Sequence, residues 1–134
     1  MEIKELIYKA KTAREKAYSP YSNFKVGAAV LMENGEVYTG CNIENASFGA
    51  TNCAERTAIF KAVSEGAKSI KAIALIGSEE EFTYPCGICR QVISEFADED
   101  MKIIIAKNQE EYMVKNLNDI LPGAFTKKDL GTFK

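Results

Sequence analysis

Three cysteines and one glutamate, in two short segments, have the spacing of a zinc site that does chemistry. Cys53 and Glu55 stand two residues apart, and Cys86 and Cys89 form a Cys-x-x-Cys pair directly after Pro85. Three thiolates can hold a tetrahedral zinc ion and leave its fourth position open for water, as in catalytic zinc sites. The two-residue offset lets the glutamate reach that water without becoming a ligand. We therefore predict one zinc ion per chain, with Glu55 as the catalytic residue.

Two further interpretations of these residues remain open from the sequence. The fourth cysteine, Cys41, would close the site into a structural Cys₄ zinc, although such sites usually contain two close pairs of cysteines. Asn52 and Glu55 have the spacing of a capping box, in which the glutamate only satisfies a backbone amide at a helix start. The chain contains no histidine, so any zinc site is built from thiolates and carboxylates.

Both cysteine segments are predicted to open helices, whose positive dipole ends favour the thiolate form of cysteine. Arg56 follows Cys53 by three residues, so on a helix its guanidinium can reach back to that sulfur. Arg90 and Gln91 are similarly close to Cys89. Groups that hydrogen-bond a metal ligand tune the metal, and we expect these three side chains to act in that way.

The elements that carry these segments follow from the hydrophobic pattern. Apolar residues recur every three or four positions from Ile3 to Tyr18, which predicts an amphipathic helix. Asn34-Gly35 predicts a type I′ hairpin turn with two positive φ angles. The remaining pattern predicts strands at 24–32, 37–41, 71–77, 102–107 and 112–115, and helices at 53–65, 86–97 and 117–121.

Strand–helix–strand order from residue 37 onward implies parallel neighbours joined by right-handed crossovers. The predicted fold class is therefore α/β, a three-layer α/β/α arrangement around a mixed sheet of five strands. Strand 24–32 is apolar on both faces, as expected where helices cover both sides of a sheet.

The chain length and the net charge limit the classes of protein to which this chain can belong. A chain of 134 residues is expected to form a single domain, 1–134. A net charge of −2 lacks the basic footprint of a nucleic-acid binder. The longest apolar runs, 72–76 and 103–106, are far shorter than the ~18 residues of a membrane span. The first residues do not resemble a leader peptide, so we expect a cytoplasmic protein with a small-molecule partner.

The motifs resemble the cytidine deaminase family, in its small homotetrameric class. That family's signature, Cys-x-Glu followed by Pro-Cys-x-x-Cys, is present. The similarity extends through segments 18–29, 40–46, 53–58, 89–92 and 121–125. It implies the cytidine deaminase-like fold, a homotetramer, and zinc-dependent hydrolysis of cytidine and 2′-deoxycytidine to the uridines in pyrimidine salvage. Glu55 would carry the protons of this reaction.

The resemblance also implies the substrate contacts. Asn42 and Glu44 would bind the ribose 3′-hydroxyl, and Phe24 would pack near the base. Phe125 would reach a neighbouring subunit's pocket. Backbone groups at Ala54 and Tyr84 would meet the ring oxygen and the amine.

Two positions depart from the family pattern. Phe48 stands where tyrosine is common, which removes a hydroxyl, and Tyr84 stands where a small residue is common. A blasticidin-S-type deaminase would share the cysteine motifs, but the Asn-Ile-Glu-Asn segment 42–45 argues against it. The sequence is also compatible with a non-catalytic zinc-stabilised binding module and with a polynucleotide deaminase.

Overall fold

A mixed sheet of five strands forms the centre of the protein, and a computed structural model describes residues 1–131. The strands are β1 (Gly27–Met32), β2 (Val37–Cys41), β3 (Ile70–Ile76), β4 (Ala97–Ala106) and β5 (Tyr112–Lys115). The helices are α1 (Ile3–Arg14), α2 (Ala54–Ser64), α3 (Gly87–Phe96), α4 (Leu117–Ile120) and α5 (Lys127–Gly131), with a 3₁₀ helix at Phe48–Ala50.

The strand order is β2-β1-β3-β4-β5, and β3 and β4 are the parallel pair. The other neighbours are antiparallel. The expectation that β2 and β3 are parallel neighbours is wrong, because β1 lies between them. They run in the same direction, but the crossover through α2 skips one strand. The predicted mixed five-stranded sheet is confirmed.

Helices cover both faces of the sheet, which confirms the three-layer prediction. Leu6, Ile7 and Ala10 of α1 pack with Ala29 of β1 on one face. The opposite face of β1, including Val30, packs with α2 and α3 in the larger core cluster. Successive side chains of β1 are therefore buried on opposite faces of the sheet, as expected for a strand whose two faces are both apolar.

One helix and one strand span fewer residues than their hydrophobic patterns predict. Helix α1 ends at Arg14, where the next three amides bond carbonyls only three residues back, and the Tyr18 N–H then donates to the Asn42 carbonyl at 3.0 Å. Strand β1 begins at Gly27, because the side chain of Asn42 bonds the Phe24 carbonyl and the Val26 amide, while the Val26 carbonyl accepts from the Asn42 amide at 3.2 Å.

Other differences lie at turns and ends. In the β1–β2 hairpin Gly35 has a φ of +86°, but Asn34 does not have a positive φ, so the type I′ prediction is wrong. The Asn34 side chain instead accepts a hydrogen bond from the Glu36 amide at 2.9 Å. Strand β4 begins early, at Ala97, which pairs with Ile70. Helix α5 lies in the predicted polar tail, whose residues 132–134 fall outside the described part of the chain.

Gly40 lets β2 lie directly against the first turns of α2. A Cβ at this position would come within 2.5 Å of the Ala58 amide nitrogen and 2.7 Å of the Ala54 carbonyl oxygen. This contact fixes the end of α2 that follows Cys53. Within residues 1–131, every helix is too short or too polar to cross a membrane.

Candidate active site

The starts of two helices bring three cysteines together. Cys53 is the N-cap of α2, Cys86 is the N-cap of α3, and Cys89 lies in the first turn of α3. Their sulfur atoms lie within 4.8 Å of one another, with 3.7 Å between Cys53 and Cys86. A tetrahedral site with zinc–sulfur bonds of about 2.3 Å has sulfur–sulfur edges of roughly 3.8 Å, so the cluster fits zinc.

The fourth cysteine does not join this cluster. In the part of the chain that the structure describes, the metal-binding group consists of Cys53, Cys86 and Cys89. Cys41, at the end of β2, lines a separate groove against α1. The Cys₄ interpretation is therefore wrong, and the three thiols leave a fourth coordination position to other atoms. Soft thiolate ligands favour zinc over magnesium or calcium, which prefer oxygen.

The thiols influence one another's ionisation. Hydrogen bonding from Cys89, and next from the Arg56 guanidinium, lowers the pKa of Cys53 to about 5, against the opposing effect of burial. The same pairing with Cys53, together with burial, raises the pKa of Cys89 well above its ordinary value. The Cys53 thiolate is therefore ready at neutral pH, and metal binding would release the proton of Cys89.

Glu55 is buried, with 4% of its surface exposed, in the first turn of α2. Burial, and then the negative charge of Cys53, raises the pKa of its carboxyl to about 7. The capping-box interpretation is wrong. The Asn52 amide donates to the Ile43 carbonyl at 2.9 Å, and the Asn52 side chain donates to Thr57 at 3.0 Å. A buried carboxyl with a pKa near neutrality suits a group that both takes and gives protons.

A cavity of about 260 Å³ opens beside this carboxyl. It joins the predicted catalytic and metal residues to most of the predicted substrate contacts, while Cys89 is buried outside its lining. The predicted residues in its lining are Phe24, Asn42, Glu44, Cys53, Ala54, Glu55, Tyr84 and Cys86. Phe125 is exposed and does not line the cavity.

Asn42 and Glu44 are held by hydrogen bonds to the segment that precedes β1. The Asn42 side chain donates to the Phe24 carbonyl at 2.8 Å and accepts from the Val26 amide at 2.9 Å. Glu44 accepts from the amides of Tyr21 and Ser22, and from the Ser22 hydroxyl. The Ser22 hydroxyl, together with these two amides, lowers the pKa of Glu44, so its carboxylate is ionised at neutral pH.

The three side chains expected to tune the metal ligands have different partners. Arg56 donates from Nη2 to the Cys53 sulfur at 3.4 Å, which is the contact that the helical spacing predicts. Arg90 donates to the carbonyls of Pro85 and Ile120, at 2.7 and 2.8 Å. Gln91 donates to the Phe125 carbonyl at 2.8 Å. The hydrogen bonds of Arg90 and Gln91 therefore connect α3 to neighbouring backbone and not to the sulfur of Cys89.

Several cavity residues were not identified from the sequence. Ser22 and Thr83 line the cavity, but the first stands in a segment whose pattern indicates only a helix end, and the second stands in an acidic loop. Thr83 and Phe24 close over Gly77, where a Cβ would come within 2.3 Å of the Thr83 hydroxyl and 2.8 Å of the Phe24 ring. This close approach across the end of β3 has no local sequence pattern beyond the glycine itself.

The two departures from the family pattern lie in different surroundings. The hydroxyl of Tyr84 contacts the Met113 sulfur at 3.9 Å, so a large side chain fits at the cavity wall. Phe48 has 79% of its surface exposed and lines a neighbouring cavity of about 380 Å³.

A three-layer α/β/α fold that presents three thiols and a buried carboxyl at two helix starts defines a zinc-dependent deaminase. A profile of the cytidine and deoxycytidylate deaminase zinc-binding region matches residues 1–106. A cytidine deaminase from Sporosarcina psychrophila is 50% identical over 130 residues, which cover 97% of this chain and 96% of the relative. One from Halalkalibacterium halodurans is 49% identical, covering 97% and 98%.

Solved structures agree with these matches. The crystal structure of cytidine deaminase from Burkholderia pseudomallei superposes with a TM-score of 0.87 at 48% identity, covering 93% of this chain and 100% of that one. That of cytidine deaminase from Mycobacterium tuberculosis gives 0.82 at 38% identity, covering 93% and 98%. The chain belongs to the cytidine and deoxycytidylate deaminase family.

Arg56 offsets part of the negative charge of the thiolates. Three thiolates outweigh the charge of one zinc ion, and an excess of negative charge makes ionisation of a nearby water harder. We expect Arg56→Ala to retain most of its zinc but to lose about 10–100-fold in activity at neutral pH, with the activity appearing at higher pH. Zinc content and the pH–rate profile would be measured together.

Two further variants separate charge from hydrogen bonding at this position. Arg56→Gln keeps a donor without the charge and is expected to shift the profile in the same direction. Combining Arg56→Ala with Cys53→His, which replaces a thiolate by a neutral ligand, is expected to recover part of the loss. An unchanged pH–rate profile in Arg56→Ala would mean that Arg56 serves only the helix.

Proposed function

We propose that this chain is a cytidine deaminase that hydrolyses cytidine and 2′-deoxycytidine to uridine and 2′-deoxyuridine, releasing ammonia. The single observation that carries the proposal is the composition of one cavity. Its wall holds the buried carboxyl of Glu55, two of the three clustered thiols, and the side chains of Asn42 and Glu44. The names of the relatives that match almost the whole chain support the same substrate.

Cys53, Cys86 and Cys89 would hold the zinc ion, which supplies the Lewis acidity that activates water near neutral pH. Glu55 takes a proton from the water that attacks C4 of the base and delivers it to N3 of the ring. It then takes the remaining proton from the hydroxyl now on C4 and gives it to the amine, so that the C4–N bond breaks, the C4 carbonyl forms and ammonia leaves. One carboxyl with a pKa raised to about 7 suits both directions of transfer. Its burial keeps bulk water from competing for these protons.

The ribose contacts use the hydrogen-bonding capacity that remains on Asn42 and Glu44. Each side chain already bonds the segment before β1, which fixes its position. The Asn42 amide retains one N–H, and the Glu44 carboxylate retains an acceptor site, to meet the 3′-hydroxyl. Phe24 packs near the base, and the backbone groups of Ala54 and Tyr84 meet its polar edge.

An ultraviolet assay tests the proposal and separates it from competing functions. Cytidine and 2′-deoxycytidine are expected to lose their absorbance with release of one ammonia per nucleoside. Blasticidin S and cytosine within a DNA oligonucleotide are expected to remain unchanged. Turnover of blasticidin S alone would favour the antibiotic deaminase, and binding without turnover of any of these compounds would favour the zinc-stabilised module.

We also propose a homotetramer in which Phe125 contacts the cavity of a neighbouring subunit. Phe125 is 56% exposed, and Gln91 anchors its backbone carbonyl, so the ring is presented outward from a fixed point. Phe125→Ala is expected to weaken assembly in sedimentation velocity and to raise the Michaelis constant. An active monomer, or a variant unchanged in both measurements, would contradict this arrangement. Phe60→Ala, another exposed ring, is the matched control.

The cellular setting follows from the same chemistry. We propose that residues 1–134 act as one domain in the cytoplasm, where free pyrimidine nucleosides are salvaged. The net charge of −2 favours such a small, uncharged substrate over a polyanion. Fractionation of cells that produce the protein would test the location.

A further inference from the structure

Within residues 1–131, two of the three hydrogen bonds that the Glu44 carboxylate accepts come from Ser22. Its hydroxyl donates to Glu44 Oε2, and its backbone amide donates to Glu44 Oε1 at 3.1 Å. The amide of Phe24 donates to the same hydroxyl at 3.1 Å, so the one hydroxyl hydrogen is left for Glu44. Asn23, between them, has a φ of +57°, in the left-handed region that is uncommon outside glycine.

These bonds leave the Glu44 carboxylate with few free hydrogen-bond acceptor sites. A carboxylate has about four acceptor sites. On Oε1, both are taken by the amides of Tyr21 and Ser22, and on Oε2 one is taken by the Ser22 hydroxyl. One acceptor site remains, on Oε2. The two amides direct the free capacity to Oε2, and the Ser22 hydroxyl, by occupying one of the two sites there, leaves a single position at which a ribose hydroxyl can donate.

Glu44 also lies on the boundary between two cavities. The catalytic cavity contains Phe24 and Glu55, and the neighbouring cavity of about 380 Å³ contains Tyr21 and Phe48. Both Ser22 and Glu44 line both cavities. Without the hydroxyl bond the carboxylate would be held through Oε1 alone, and Oε2 would have two open acceptor sites at this boundary. Holding it in advance avoids the ordering cost that binding would otherwise incur.

We infer that Ser22 is a positioning residue, whose hydroxyl orients the Glu44 carboxylate so that one acceptor site faces the ribose 3′-hydroxyl in the catalytic cavity. This inference rests on the proposed function, because it assumes that Glu44 recognises that hydroxyl. Ser22 is exposed and lies outside the hydrophobic core, so its replacement removes no core packing.

The test compares Ser22→Ala with the unaltered enzyme on cytidine and on 3′-deoxycytidine. Loss of a hydrogen bond to a charged group is expected to raise KM for cytidine by about 10–100-fold, with kcat nearly unchanged. KM for 3′-deoxycytidine is expected to change less than about 3-fold, because that nucleoside lacks the recognised group. In a Glu44→Ala background, Ser22→Ala is expected to have no further effect on either nucleoside.

Ser78→Ala is the matched control, because the Ser78 hydroxyl also accepts from the amide two residues later, at 3.0 Å, but does not line the cavity. It is expected to leave both KM values unchanged. An equal rise in KM for both nucleosides, a loss confined to kcat, or an effect that persists with Glu44→Ala would overturn the inference. So would a lowered thermal unfolding midpoint with equal loss on both nucleosides, since Ser22 would then be structural.

The result also distinguishes this inference from the function on which it rests. If the unaltered enzyme treats cytidine and 3′-deoxycytidine alike, the assignment of Glu44 to the ribose fails, and the role of Ser22 fails with it. If Glu44→Ala removes the discrimination and Ser22→Ala does not reduce it, only the positioning role of Ser22 is wrong.

Discussion

Glu55→Gln is expected to fold and bind zinc normally yet lose cytidine turnover by at least about 10²–10⁴-fold, because an amide cannot carry protons. The side chain is almost isosteric, and its site beside Cys53 and Cys89 is unchanged. The loss should exceed that for a single proton transfer, since one carboxyl serves water, N3 and the leaving amine in turn. The single-turnover rate of the chemical step and the steady-state kcat, together with metal analysis, would check this expectation.

Glu65→Gln is the matched control, because Glu65 is an exposed glutamate at the opposite end of the same helix, α2. It should have wild-type turnover. If Glu55→Gln instead kept its rate, the assignment of Glu55 as the proton carrier would be wrong.

Free cytosine is expected to be a far poorer substrate than cytidine, with kcat/KM lower by roughly 10⁴-fold, because a site built to hydrogen-bond a hydroxyl has unpaired polar groups when that hydroxyl is missing. Glu44→Ala is expected to erase most of the preference by lowering kcat/KM for cytidine while changing that for cytosine little. Steady-state kinetics with both substrates on both proteins would measure the effect.

Glu36→Ala, at the exposed β1–β2 hairpin, is the control for charge alone and should keep the preference. Equal turnover of cytosine and cytidine by the unaltered enzyme would contradict the ribose assignment. A Glu44→Ala protein that lost both activities in parallel would show that Glu44 supports the loop 21–24 more than it binds substrate.

The three layers of the fold and the cluster of three cysteines could be predicted from residue spacing and hydrophobic patterns within short segments of the sequence. The spacing of Cys86 and Cys89 holds two sulfurs on one helical turn, and Cys53 and Glu55 are fixed relative to each other by the same geometry. Helices α2 and α3, which the two cysteine segments open, have nearly the predicted bounds. Strand direction also follows from strand–helix–strand order, whereas the insertion of β1 between β2 and β3 does not.

What the sequence did not predict depends on contacts between distant segments. Tyr18 leaves the helical pattern because segment 42–44 offers its backbone a partner. The hydrogen bond from Ser22 to Glu44 joins residues 22 positions apart in the sequence. That from Arg90 to the Ile120 carbonyl joins residues 30 positions apart. Polar side chains that bond backbone across such separations have no periodic signature, so their partners appear only in the folded chain.

Removal and return of zinc tests the central claim most directly, because it joins the thiol cluster to the reaction. The purified protein should contain one zinc per chain, a chelator should abolish ammonia release from cytidine, and activity should return in proportion to zinc, reaching its maximum at one equivalent. Cys41→Ser should behave like the unaltered protein, since Cys41 lies outside the cluster. Full cytidine deamination by protein shown to contain no metal would contradict the account.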